Sequence, residues 1–289
     1  MKTILSRAAT VCLMAVAAAA VADDLWLAPS AWRPKAGDEV SIRLMVGPKF
    51  SGRSRPRDDA RIDAFLVRGW DAAEIAVAGK TGDDPAGRVV IPEDGTWIVG
   101  FRSKPANITL DAEKFEAYLA ANGLTAISEE RARRGESKEK GRETYSRGAK
   151  AVLSVGKGEP GGYDRSLGLR LEITPERHPY RCAPGDEVPF RVTFDGAAIE
   201  GLLVRARSEA NPDPPVEGRT DAEGRVKLRL ADAGAWFVGA VHMFRSDATK
   251  TFSDWESVWG SITFELPAKA AAAAAPVAPS APDPPPAKK

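Results

Sequence analysis

Apolar and polar side chains alternate along several separated stretches of the chain. Val40, Ile42, Leu44 and Val46 alternate with Ser41, Arg43 and Met45, and Val188, Phe190, Val192 and Phe194 with Arg191 and Thr193. Val226, Leu228 and Leu230 alternate with Lys227 and Arg229, while Trp236, Val238 and Ala240 share a face with His242. A period of two places successive side chains on opposite faces, so these stretches predict strands with one buried face. Half-buried strands of this kind build antiparallel sandwiches. Thr81 to Gly87 and Thr220 to Gly224 lie between them and predict hairpin turns, because Asp bonds its own backbone and Gly accepts a positive φ.

Three of the motifs occur twice in the same order. Ala36-Gly37-Asp38-Glu39-Val40 returns as Pro184-Gly185-Asp186-Glu187-Val188, Gly87-Arg88-Val89 as Gly224-Arg225-Val226, and Gly95-Thr96-Trp97-Ile98-Val99-Gly100 as Gly234-Ala235-Trp236-Phe237-Val238-Gly239. Ordered recurrence is the mark of duplicated structural units. The expected fold is therefore mostly β, with two tandem antiparallel β-sandwich modules over 23–156 and 157–266. Between the repeats the alternation stops. Asp111 is placed to cap a helix carrying Phe115, Tyr118 and Leu119 on one side, and Asn122-Gly123 to end it. The charged run that follows reads as a solvated continuation, giving a helical insertion over about 111–150.

The ends add a compartment. Lys2 and Arg7 precede an apolar stretch that closes on Ala20-Val21-Ala22 and then meets Asp23-Asp24, the pattern of a cleavable signal peptide over 1–22. Cys12 lacks the small-residue box of a lipid-modified cysteine, and no segment approaches the ~20 apolar residues of a membrane span. A periplasmic protein starting at Asp23 is expected. Residues 267–289 are rich in Ala and Pro, a composition expected to stay disordered. The formal net charge of +1 becomes −1 when Lys2 and Arg7 are removed, which gives nucleic acid no electrostatic hold. Cys182 is then the one remaining cysteine, read as a packed small hydrophobe.

No serine elbow, phosphate loop, HExxH helix or dinucleotide fingerprint appears, so a non-enzymatic protein is expected. His178 and Cys182 are separated by three residues, but Pro179 interrupts any helix that would align them as metal ligands. Asp254, Trp255, Glu256 and Trp259 form the densest aromatic and acidic cluster. On a strand Trp255 and Trp259 share a face, and two readings stand: a stacking platform for a sugar, or a plug for the sandwich.

Asp24-Leu25-Trp26-Leu27-Ala28-Pro29, Phe115-Glu116-Ala117-Tyr118-Leu119 with Asn122-Gly123-Leu124, Tyr145-Ser146-Arg147-Gly148-Ala149-Lys150 and the segment Asp254 to Phe264 together resemble a bacterial exported family of unknown function, formerly labelled a periplasmic component of nickel or cobalt uptake. The second module is also similar to the small transthyretin-like or carboxypeptidase-regulatory β-sandwich, whose members bind or brace. Members of the exported family begin with a histidine where this chain has Asp23. The resemblance implies handling of nickel, cobalt or copper beside a membrane uptake system. With Asp23 in place of the family's histidine, the weak candidate ligands by residue type are Asp23, His242, Asp254 and Glu256. The alternative is an envelope-associated module binding glycan or protein through Trp255 and Trp259. A hydrolase is the third reading.

Overall fold

The computed structural model describes residues 23–69, 74–158, 161–247 and 253–268; the expected signal peptide and most of the Ala/Pro tail lie outside them. The first unit contains β1 (Asp24–Pro29), β2 (Glu39–Gly47), β3 (Arg53–Arg55), β4 (Ile62–Arg68), β5 (Glu74–Ala76), β6 (Gly87–Val90), β7 (Gly95–Ser103) and β8 (Ala106–Leu110). Helices α1 (Ala112–Ala121) and α2 (Thr125–Arg133) follow, then the long strand β9 (Gly141–Val155). The second unit runs through β10 (Leu171–Pro175), β11 (Asp186–Phe194), β12 (Ala197–Ala198), β13 (Leu203–Ser208), β14 (Val216–Arg219), β15 (Arg225–Leu230), β16 (Gly234–Arg245) and β17 (Trp255–Leu266).

The repeat is structural. In the first unit β2 pairs with β1, β3 and β6; in the second, β11 pairs with β10, β12 and β15. Trp97 and Trp236 each stand two residues into equivalent strands, are buried, and donate Nε1–H to the carbonyl four residues back, on Glu93 at 3.2 Å and Asp232 at 2.8 Å. Gly37 N donates to Ile91 O at 2.7 Å and Gly185 N to Leu230 O at 2.6 Å, so the same turn closes both units. The Asp221 turn has the expected local chemistry, with Oδ1 accepting from Glu223 N and Arg225 N and Gly224 at φ 74°. Its flanking strands, however, pair in different sheets, so it carries the chain from one sheet to the other and does not close a hairpin.

The two units share a sheet. The nine-stranded sheet runs β14-β13-β16-β17-β9-β7-β4-β5, with β8 also on β9, and its centre is the parallel pair β17 and β9. Ala149, Ala151, Leu153 and Val155 of β9 enter the core formed with Leu27, Val40 and Ile42. Val152 points to the other face and joins the core of Leu171, Ile173 and Phe190. Successive strand residues face opposite ways, so the two small sheets lie on opposite faces of the shared one. The units are thus two halves continuous through their central strands.

β9 corrects the expected extent of the helical insertion. Helix ends at Arg133, and 141–150 is strand. The insertion is also less solvated than its charge suggested: Arg131 is buried, pairs with Glu116 at 2.7 Å, and donates to the carbonyls of Glu136 and Glu139. Phe115, Tyr118, Leu119 and Ile127 of the helices cover Val241, Met243, Trp255 and Trp259 of β16 and β17. At the junction of the halves Lys150 and Glu172 form a buried ion pair at 3.1 Å. Burial lowers the Lys150 ammonium from its usual range. It also opposes ionisation of Glu172, but Lys150, Ser166 and the Leu167 amide outweigh that and hold its carboxyl low.

Candidate functional site

Alternation along β13 turns Val204 and Ala206 into the second core, which leaves Arg205 and Arg207 on the opposite face of the sheet. Because the first unit's small sheet lies on that same side, the start of β1 and the loop after β2 approach these arginines. Asp24, Lys49, Arg205, Arg207, Glu217 and Phe237 thereby line a cleft of about 230 Å³, with Leu203, Ala240, Val241 and the end of α1 completing its walls. The Phe237 ring contacts Trp26 and Phe50, at centroid separations of 6.2 and 5.7 Å, and so ties the two halves together beneath the cleft. That ring lies across Gly239, where a Cβ would sit 2.3 Å from the Phe237 Cζ; only glycine leaves it room.

The charges around the cleft are unequally satisfied. Arg205 donates to Glu217 at 2.7 Å, Arg207 contacts Asp213 at 3.4 Å and the Pro212 carbonyl, and Lys49 pairs with Asp213 at 2.5 Å. A guanidinium has five N–H donors, so both arginines keep further donors beyond these contacts. Asp24 is different. Its carboxyl makes no hydrogen bond or ion pair among the described residues, and burial pushes its pKa up to about 6 against the opposing pull of Arg207, Arg205 and Arg147. Desolvation therefore outweighs three cations, which do not approach closely enough to pair with it.

The candidate metal ligands are not brought together. His242 packs its ring on Phe194 and Phe244, at 4.6 and 5.4 Å, on the second core's side of the shared sheet. Burial lowers its pKa and the Arg170 charge adds to that effect. Glu256 is paired to Arg170, which also holds Asp195 at 3.0 Å and stacks on Phe194, so a cation already occupies that neighbourhood. Asp254 accepts two bonds from Arg142, at 2.9 and 2.6 Å, which hold its carboxyl below the usual range. Asp23 lies across the sheet from His242, beside β1, where its carbonyl accepts from Arg147 at 3.1 Å. Among the described residues no group of three or more His, Cys, Asp or Glu side chains is placed to hold a metal ion.

Trp255 is fully buried and Trp259 is 7% exposed, both sealed beneath α1 and α2, so neither offers a stacking face to a sugar. Their surroundings are polar: the buried Glu143 accepts from Tyr118 at 3.1 Å and from Ser257, and Trp259 Nε1 donates to Ser257 at 3.1 Å. His178 and Cys182 are likewise structural. His178 contacts Thr96 at 3.1 Å and accepts from Tyr180 N, while burial pushes the Cys182 thiol up to about 11.

Residues 20–244 match the family described as a domain of unknown function, DUF4198. The chain belongs to this family. No curated protein matches it. Solved structures with some similarity include a tetra-tandem repeat in the extending region of a large adhesion protein, at 10% identity over 86% of this chain and 50% of that one, with a TM-score of 0.23. A DUF4785 family protein from Legionella pneumophila follows at 7% identity, 74% and 52% coverage and TM-score 0.23, and the D0-D1 domain of intimin at 11%, 83% and 97%, and 0.20. The chain spans about half the length of the first two. Similarity at these TM-scores carries no argument, and for this DUF4198 chain the strand pairing itself defines the fold. No helix among its described residues is long and apolar enough to cross a membrane.

The cleft was only partly visible in the sequence. Asp24 stands in the Asp-Leu-Trp motif, beside the Asp23 that replaces the family's histidine. Arg205 and Arg207 carried the signal of outward cations on a strand, without any sign of what they would face. Arg170 occupies the place in the second half that Asp24 holds in the first: Leu25 pairs with Val46 and Leu171 with Phe194, and Val46 and Phe194 stand equally far beyond Gly37 and Gly185.

Proposed function

We propose that this protein is an exported, non-catalytic binding protein of the bacterial periplasm, and that the cleft at Asp24 is its ligand site. The observation that carries the proposal is the half-buried Asp24 carboxyl, which has no hydrogen-bond or ion-pair partner among the described residues and lines a concave site beside two arginines with spare donors. Concave sites with a few convergent polar groups are where small ligands bind. The non-catalytic reading rests on the sequence, which carries no serine elbow, phosphate loop, HExxH helix or dinucleotide fingerprint. Export rests on the leader and its Ala20-Val21-Ala22 ending.

Metal handling would need ligands other than Asp23, His242, Asp254 and Glu256, since two of these are held by arginines and the shared sheet separates Asp23 from His242. The test of the cleft is a nuclear magnetic resonance titration of ¹⁵N-labelled protein with free amino acids, monosaccharides and dicarboxylates. Shifts centred on the amides of Leu203, Arg205 and Gly239 are expected with at least one class. If every class leaves those amides unmoved, the cleft is not the site.

A further inference from the structure

Asp24 and the pair Arg205 and Arg207 face one another without closing. Each guanidinium is near enough to act on Asp24, yet neither forms an ion pair or hydrogen bond with it. The arginines instead lean on Glu217 and Asp213. The elements of the cleft left without a protein partner are therefore one carboxylate and the remaining guanidinium N–H groups, separated by a gap.

We infer that the cleft binds a small zwitterion, an α-amino acid or the free end of a short peptide, with its ammonium on Asp24 and its carboxylate on Arg205 and Arg207. This inference rests on the reading of the cleft as the ligand site.

A simple cation would meet Asp24 but also the repulsion of both arginines, and a simple anion the reverse. A zwitterion matches both signs at once, and the two charges of an amino acid lie within one residue length, about 3.5 Å. Charge-assisted hydrogen bonds of this kind are the strong ones, and guanidinium is suited to grip a carboxylate. A saccharide fits less well. Its usual platform is an exposed aromatic face, and here Phe237 is 2% and Trp259 7% exposed. The volume of about 230 Å³ suits one amino acid with an apolar side chain against Leu203, Ala240 and Val241.

Binding should also respond to pH. The charged groups facing Asp24 are Asp23 just before β1, whose α-amine is an ammonium in the processed protein, Arg147 on β9, Arg205 and Arg207 on β13, Glu217 on β14 and Lys49 in the loop after β2. Asp24 is the member of this set whose carboxyl is raised to about 6, so an ammonium is held above that pH and released below it.

The experiment is calorimetry and ¹⁵N titration of the processed protein with leucine, N-acetyl-leucine, leucinamide, glucose, succinate and putrescine. Leucine should bind, and each analogue lacking one charge should bind about tenfold more weakly or worse. Asp24→Asn should weaken leucine at least about tenfold while the protein stays folded, and Arg207→Gln provides a second variant from the other side of the gap. Equal binding of leucine and N-acetyl-leucine would overturn the inference, as would leucine binding unchanged in Asp24→Asn. Glucose, succinate or putrescine shifting the cleft amides while leucine does not would overturn the zwitterion and leave the cleft standing. Silence from all six probes would remove both.

Discussion

Replacing Asp24 by asparagine isolates what it costs to keep a carboxylate in the cleft. The native carboxyl titrates at about 6 against an ordinary value of 3.8. At 1.36 kcal/mol per pH unit that difference amounts to about 3 kcal/mol. The folded state binds this proton more tightly than the unfolded chain does, so its stabilising effect is complete below about pH 4 and is lost as the pH rises through about 6. Asparagine keeps the shape of the protonated acid at every pH. The variant is therefore expected to match the native protein near pH 4 and to exceed it by up to about 3 kcal/mol at pH 8, the cations around Asp24 already being included in its shifted pKa. For a chain of this size each kcal/mol moves the melting temperature by about 2–4 °C, so a gain of roughly 6–12 °C is the upper bound. Parallel thermal melts of the two proteins at several pH values between 4 and 8 measure it. A variant no more stable than the native protein at pH 8, or a gap that does not widen with pH, would refute the claim that Asp24 is held against its own solvation.

Three further outcomes are expected. Trp97→Ala and Trp236→Ala should each cost about 3–5 kcal/mol in denaturant unfolding, since both fill core positions; a cost below 1 kcal/mol at either would contradict its burial. Lys150→Met should cost about 3–5 kcal/mol by stranding the Glu172 carboxylate, whereas Lys150→Met with Glu172→Leu should recover most of that; equal losses in both would mean the pair is more than a matched charge couple. Calorimetry with nickel, cobalt and copper on protein beginning at Asp23 should give no site that depends on His242; a micromolar site abolished by His242→Ala would reopen metal handling.

Strands with one buried face were legible because their alternation is local: Val188, Phe190 and Val192 announce β11 without reference to any other segment. β9 was not, and the reason is physical. Both its faces are covered along the half that divides the two cores, so the period-two signal disappears, and its other half carries Arg142, Glu143 and Arg147 in a charged run that resembles an exposed helix. The parallel pairing of β9 with β17 is a contact between distant segments, on which neither sequence bears a mark. The cleft shares that fate. Asp24 and Arg207 are each visible as polar positions on strands, but their juxtaposition follows from which face of the shared sheet each small sheet covers. His242 and Glu256 were drawn into a ligand set by residue type alone, and the intervening Arg170 had no signature to exclude them.

Parallel central strands with the two small sheets on opposite faces describe a twofold axis running along the strand direction, the symmetry of a homodimer joined edge to edge. The chain has the geometry of such a dimer made covalent. In a true dimer every substitution appears twice, so a carboxylate in one groove is a carboxylate in both. Fusion removes that constraint: the first copy carries Asp24 in an open gap, while the second carries Arg170, closed upon by Asp195 and Glu256. On the reading proposed above, one half braces the molecule and the other is free to receive a guest.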